Sequence, residues 1–276
     1  MLIERNQMTE LLKSIEEQNY EVPAGENPFE LALGMLEYLG DLDSQLRDEY
    51  IYTILSRWIM KGVFDRDQQK QLLQILQGYG YLFYKVGETE RDSVFMRAFS
   101  VLLIAPLIYR HRQEAFLTKE ELLQVKERII QYMQEEKDAR GYIQEGGWAH
   151  TAAHSADTID ELALCSELGK DDLLQILQAI RDKASIDYHG YVCYEDERLS
   201  IAACSAMGRQ LLSEDEICTW VRSFGVIGEP KGFPTHYYLL SNIRNFLNSL
   251  YYRLPAESSQ EVKRAISETV LGIRRF

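Results

Sequence analysis

The stretch DARGYIQEGGWAHTAAHSADTIDE, Asp138 to Glu161, decides how this chain reads. After the Gly146-Gly147 break, a helical step of about 100° per residue puts Ala152, Ala156, Ile159, Leu162 and Ala163 on one apolar stripe. His150, His154, Asp157 and Glu161 fall on the opposite, polar stripe. A polar stripe of that composition is expected to face a cleft.

Working outward, apolar residues recur three and four positions apart almost everywhere, and alternation of period two never persists. The chain therefore reads as all-α, with Tyr188 to Tyr194 as a weak strand candidate. Thr118 with Glu121, and Ser213 with Glu216, have capping-box spacing and mark helix starts. Breaks are expected at Gly40-Asp41, Lys61-Gly62, Gly78 to Gly80, Gly87, His111-Arg112, Gly146-Gly147, Gly169, Gly190 and Gly225 to Pro234. About a dozen helices result, which the short connections arrange as antiparallel pairs in an armadillo- or HEAT-like superhelix, an α-α solenoid. One domain over residues 1–276 is expected, because helical arrays reach this length as a single unit.

Charged tripeptides open several of the apolar helices. They are Arg47-Asp48-Glu49, Arg91-Asp92-Ser93 and Glu195-Asp196-Glu197, and the first two lie 44 residues apart, an interval that fits helical repeats. If these helices are the inner members of their pairs, their starts line one edge, and Asp92, Glu195 and Asp196 join the cleft around His150.

Composition narrows the partners. Forty-three acidic residues against thirty basic ones give a formal net charge of -13, which opposes binding to nucleic acid or to an anionic membrane surface. The N-terminal MLIERNQMTELLKSIEEQ carries charges throughout and lacks the apolar core of a secretory signal, so a cytoplasmic location is expected. Val101 to Tyr109, the most apolar run, is too short to span a bilayer and reads as a core helix. Cys165, Cys193, Cys204 and Cys218 lack the close spacing of metal knuckles and read as reduced thiols.

His150, His154 and Asp157 have the helical spacing of three metal ligands, yet Thr151 stands where a zinc peptidase carries its glutamate base. No metal and no cofactor are expected; a metal, if bound, falls to those three residues. Either histidine could serve as a general base oriented by Asp157 or Asp160, but Ser155 and Cys165 lie off the histidine stripe and make poor nucleophiles. Trp148 falls on the apolar side and reads as a packing anchor beside the cleft.

The segments LRDEYIYTILSRWI (46–59), DSVFMRAFSVLLIA (92–105), EKDARGYIQEGGWAHTAAHSADTIDEL (136–162) and YEDERLSIAA (194–203) together resemble the bacterial family called domain of unknown function 2785. The likeness is carried by Arg140, Gly141, Tyr142, Gly147, Trp148, Ala149, His150, Ala153, His154, Ala156 and Asp157. It implies an all-helical, armadillo-like fold and supplies no activity. The expected function is binding: a protein, peptide or small polar ligand in a concave cleft around His150, His154 and Asp157. The alternative is a hydrolase-like enzyme using the same residues.

Overall fold

A computed structural model describes residues 3–229, 231–255 and 259–273, so Met1 and Leu2 of the N-terminal segment and Pro230 of the glycine and proline cluster lie outside the described residues. The protein is all-α, with helices α1 (Arg5–Glu17), α2 (Pro28–Leu36), α3 (Thr53–Lys61), α4 (Arg66–Leu76), α5 (Ser93–Gln113), α6 (Lys119–Glu135), α7 (Thr151–Ala163), α8 (Lys170–Ala184), α9 (Glu195–Gly208), α10 (Glu214–Ser223), α11 (Thr235–Arg253) and α12 (Gln260–Ile273). A π-helical segment, Gln45–Tyr52, runs directly into α3. Two short strands, β1 (Tyr142–Ile143) and β2 (Gly147–Trp148), pair antiparallel as a hairpin ahead of α7.

From α3 onward, alternate helices form two rows. Helices α3, α5, α7, α9 and α11 pack each on the next, and the even-numbered helices lie behind them, with α4 on α5, α6 on α7 and α8 on α9. One cluster of buried apolar side chains runs from Met8 to Ile273. The members of the odd row run in the same direction, because their starts meet and their ends meet. His150, just before α7, reaches Cys193, just before α9, while Arg112 at the end of α5 reaches Glu161 at the end of α7.

Helix α5 corrects one expectation. The run Val101 to Tyr109 is the middle of a 21-residue helix that is long and apolar enough to cross a membrane, and 78% of its apolar window is buried inside the protein. It is a core helix through packing, not through shortness. The expected break at His111-Arg112 falls within its last turn, where the His111 imidazole ends the helix by accepting the amides of Phe116 and Leu117 through Nδ1 at 3.1 and 3.2 Å.

A second correction concerns Tyr188 to Tyr194, which is a loop. Buried Asn242 of α11 takes the amide of Tyr191 on Oδ1 (2.9 Å) and donates through Nδ2 to the carbonyls of Ile186 (3.0 Å) and His189 (2.8 Å). These backbone groups are satisfied by a side chain instead of a neighbouring strand.

The even row is built from a repeated device. Capping boxes start α4 at Asp65 and Gln68, α6 at Thr118 and Glu121, and α10 at Ser213 and Glu216, the last two as the sequence predicts. At α8, Asp172 accepts the amide of Gly169 at 2.9 Å. Each acid three residues into α6, α8 and α10 also receives a lysine from the preceding even helix: Lys70 to Glu121 (2.9 Å), Lys126 to Asp172 (2.6 Å) and Lys170 to Glu216 (2.5 Å). One carboxylate thus fixes both a helix start and its neighbour.

Connections differ by edge. Loops leading from an odd helix to the next even one are short, covering residues 62–65, 114–118, 164–169 and 209–213. Loops leading back into the odd row are long, covering 77–92, 136–150, 185–194 and 224–234. Odd helices start without side-chain caps at Asp92, His150, Tyr194 and Pro234.

Lys126 is only 2% exposed, and its ammonium has Asp172 as its carboxylate partner and donates to Gln175 Oε1 at 2.8 Å. Asp172→Ala removes that partner and the α8 cap together and is expected to cost about 3 kcal/mol in urea unfolding, the scale of a stranded buried charge. Glu216→Ala, at the solvated end of the same series, should cost less.

Candidate functional site

Helix α7 does not begin where the polar stripe predicts. His150 adopts a left-handed conformation (φ 48°) and stands outside the helix. The start is fixed by Thr151, whose hydroxyl donates to the carbonyl of Asp138 at 2.6 Å. Tyr194 repeats the geometry before α9 (φ 64°).

The two histidines nevertheless meet. Their ring centroids are 5.6 Å apart, and the ring of His150 also stacks on Trp148 at 4.8 Å, which in turn meets Tyr142 edge-on at 5.2 Å. Trp148 is therefore a strand residue on a partly exposed aromatic ladder, not a packing anchor on α7. His150 donates through Nε2 to the carbonyl of Cys193 (2.9 Å), with Glu195 Oε1 at 3.5 Å. A carbonyl only accepts, so Nε2 carries the proton and Nδ1 keeps its lone pair. Burial lowers the pKa of His150 and raises that of Glu195, which is 1% exposed and accepts the amide of Cys193 at 2.8 Å.

His154 contradicts the expectation of a cleft-facing residue. It is 6% exposed, packs edge-on against Phe99 at 5.5 Å, and donates through Nδ1 to the carbonyl of Ala98 (3.2 Å). Burial, with neighbouring His150 adding to it, pushes its pKa down to about 3. The imidazole is neutral, a poor base near neutrality, and part of the packing between α5 and α7.

The carboxylates of the stripe are committed elsewhere. Asp157 takes both Nε and Nη2 of Arg198 (2.7 and 2.5 Å), and Glu161 pairs with Arg112. Burial raises the pKa of both acids, and their arginines counter it. Asp157 is thus turned to α9, so the three residues to which a metal would have fallen do not converge; among the described residues, no three His, Cys, Asp or Glu side chains are grouped to hold a metal ion. Asp196 accepts the hydroxyl of Ser249 at 2.5 Å, tying α9 to α11. Asp92 lies away from the histidines, in a separate cleft with Glu37 and Asp41.

Arg140 is a clamp. Its guanidinium holds Asp138 (Nε 2.9 Å, Nη2 2.6 Å) and donates to the carbonyl of Arg91 at 2.9 Å, while Asp138 accepts the amide of Glu90 at 3.1 Å. Beneath it lies the buried pair Arg97 and Glu136, both oxygens of Glu136 engaged by the guanidinium. Arg47, fully buried, lies over the rings of Phe95 (4.1 Å) and Phe99 (4.7 Å) and donates to the carbonyls of Asp41 and Gly146, both at 2.5 Å. Sequence reasoning gave no place in the site to Arg47, Arg97, Arg198 or Tyr142. A signal existed for Arg97, a lone cation among VFMRAFSVLL, since such a residue in an apolar helix needs a buried partner.

The chain belongs to the family described as protein of unknown function (DUF2785), whose pattern matches residues 82–252 and so takes in the clamp, the hairpin, both histidines and α9. Comparison with curated proteins and with solved structures gives no match.

His154→Ala removes a buried ring and is expected to cost about 2–4 kcal/mol. The pH dependence has a definite sign. A histidine titrating near 6.5 when unfolded and near 3 when folded takes up its proton first in the unfolded state, so it contributes nothing above the unfolded value and costs stability progressively as pH falls toward 3. His154→Gln should flatten the wild-type stability loss in that window, measured by urea midpoints; equal slopes in both proteins would show that the imidazole is not held neutral.

Proposed function

We propose that this protein is a non-enzymatic binding module, a single-domain α-solenoid that holds a peptide or another polar ligand along the edge formed by its long loops. The observation that carries the reading is the asymmetry of the two edges. The long loops expose Tyr79, Tyr84, Tyr142, Trp148, Tyr188, Val192, Tyr194, Val226 and Phe233, whereas among the described residues the short loops expose a single large apolar side chain, Leu211. Exposed aromatic side chains gathered on one face mark a contact surface, and in helical arrays the longer loops gather on the binding face.

The long loops adjoin one another. Arg140 and Asp138 join 77–92 to 136–150, His150 joins 136–150 to 185–194, and Lys231 pairs with Asp187 to join 185–194 to 224–234. The solenoid reading is supported by side-chain contacts that link each helical unit to the next at intervals of 46 residues for Lys126 with Asp172, 49 for Arg112 with Glu161 and 43 for Trp220 with Leu177. Hydrolysis finds less support. Ser155 is buried and donates to the carbonyl of Thr151, and burial pushes the thiols of Cys165 and Cys204 up to about 12 and about 11, leaving both protonated.

The test is a screen of random-sequence peptides and oligosaccharides against the intact protein, followed by hydrogen exchange with and without the best ligand. Protection is expected in 136–150 and 185–194, and Trp148→Ala should weaken binding roughly tenfold, the scale of one stacked aromatic contact, while Leu211→Ala leaves it unchanged. Protection confined to the short loops would remove this reading.

A further inference from the structure

The left-handed backbone of His150 (φ 48°) is held at three points: its amide donates to the carbonyls of Arg140 (3.0 Å) and Gly141 (3.3 Å), and Nε2 donates to that of Cys193 (2.9 Å). Strained residues over-determined in this way cluster at ligand-binding and active sites. With the ring proton fixed on Nε2, Nδ1 presents a lone pair. It makes no hydrogen bond among the described residues, and it is not enclosed, since the enclosed polar atoms that lack a partner are others, Arg47 Nε, His111 Nε2 and Asp160 Oδ1 among them. This nitrogen is open to solvent on a ring that stacks with Trp148, beside Tyr142.

The surrounding groups supply it with no donor. His154 carries its one proton on Nδ1, given to the carbonyl of Ala98. Arg198 is held by Asp157 through Nε and Nη2. Glu195, 1% exposed, accepts the amide of Cys193, and its other oxygen lies 3.5 Å from Nε2, on the protonated side of the ring. The charge of Arg198 disfavours a proton on either histidine, and so opposes any cation brought to them. A carboxylate in the same place has no proton to give to the lone pair.

We infer that Nδ1 of His150 selects an uncharged hydrogen-bond donor, the carboxamide or main-chain amide of a peptide lying along Tyr142 and Trp148. The inference names what the edge selects and so rests on the function proposed above. An amide is planar, so it packs its face on an aromatic ring while its N–H points in its own plane at the lone pair. A sugar ring needs an indole face, and Trp148 is already stacked against His150.

Nuclear magnetic resonance of the nitrogen-15-labelled full chain tests this, with benzamide, N,N-dimethylbenzamide, benzoate, benzylammonium and methyl glucoside as probes and the ring nitrogens of His150 and Trp148 as reporters. Benzamide is expected to shift Nδ1 and to bind about tenfold more tightly than its dimethyl derivative, which keeps the ring and the carbonyl but has no N–H. Benzoate and benzylammonium should bind no better than the dimethyl compound. The preference should fade as pH falls below the folded pKa of His150, which burial holds under the ordinary 6.5, because the protonated ring has no lone pair. His150→Phe keeps a ring against Trp148 and should bind both amides equally. Equal affinities in the wild type, or a preference that survives in His150→Phe, would overturn the donor inference and leave the edge reading standing. Tighter binding of benzoate or benzylammonium than of benzamide would overturn the selection of an uncharged group, and tighter binding of methyl glucoside would overturn the amide. No shift at His150 or Trp148 with any probe would overturn both the inference and the edge.

Discussion

The buried pair of Arg97 and Glu136 is the interaction on which the long-loop edge depends. Arg97 is fully enclosed on α5, and its remaining donors reach the carbonyls of Tyr84 (3.1 Å), Lys85 (3.3 Å) and Glu88 (3.2 Å) and the hydroxyl of Ser93 (2.9 Å). Glu136 also accepts from the hydroxyl of Tyr132 (3.1 Å) and the amide of Asp138 (2.8 Å). One guanidinium therefore shapes the loop before α5 and one carboxylate begins the loop before α7. Removing either partner strands a charge in the interior at about 3–5 kcal/mol, and both loops lose their anchor together. Lys183 adds a second buried cation on the carbonyl of Glu136 (3.1 Å), its pKa lowered to about 8 by burial.

How much of this was legible in the sequence follows from the range of each interaction. Helix periodicity and the capping boxes at Thr118 and Ser213 are local, and they placed most helices and their starts. The family likeness pointed to the region around His150 without giving its shape. What failed was long-range. Asn242 turns 186–191 into a loop from 51 residues away at Tyr191, and Arg198 and Arg112 claim Asp157 and Glu161 from neighbouring helices. Periodicity says which residues share a side of a helix; it does not say whether that side meets water. His154 lies against Phe99 for that reason, although its sequence neighbours are those of a polar stripe.

The two edges divide the tasks of the fold. Capping boxes and lysine-carboxylate contacts hold the even helices, whose connections from the odd row are short. The odd helices start from residues chosen for other properties. His150 and Tyr194 hold left-handed backbones at a cost of order 1 kcal/mol or more each, where glycine would fit without strain, and both side chains stand on the aromatic edge. Helix caps are concentrated on one side and exposed aromatic side chains on the other.

The reach of Arg47 sets an order on biosynthesis. Every other side-chain hydrogen bond described above joins residues no more than 56 positions apart, so most of the fold can settle region by region as the chain leaves the ribosome. Arg47 donates to Gly146, 99 residues later. Until that carbonyl has been translated, a guanidinium lying against Phe95 and Phe99 lacks half of its hydrogen-bond partners, and the first third of the nascent chain stays open on that side. Emergence of the glycine turn closes it, making the hairpin the latch that completes the packing of the N-terminal helices.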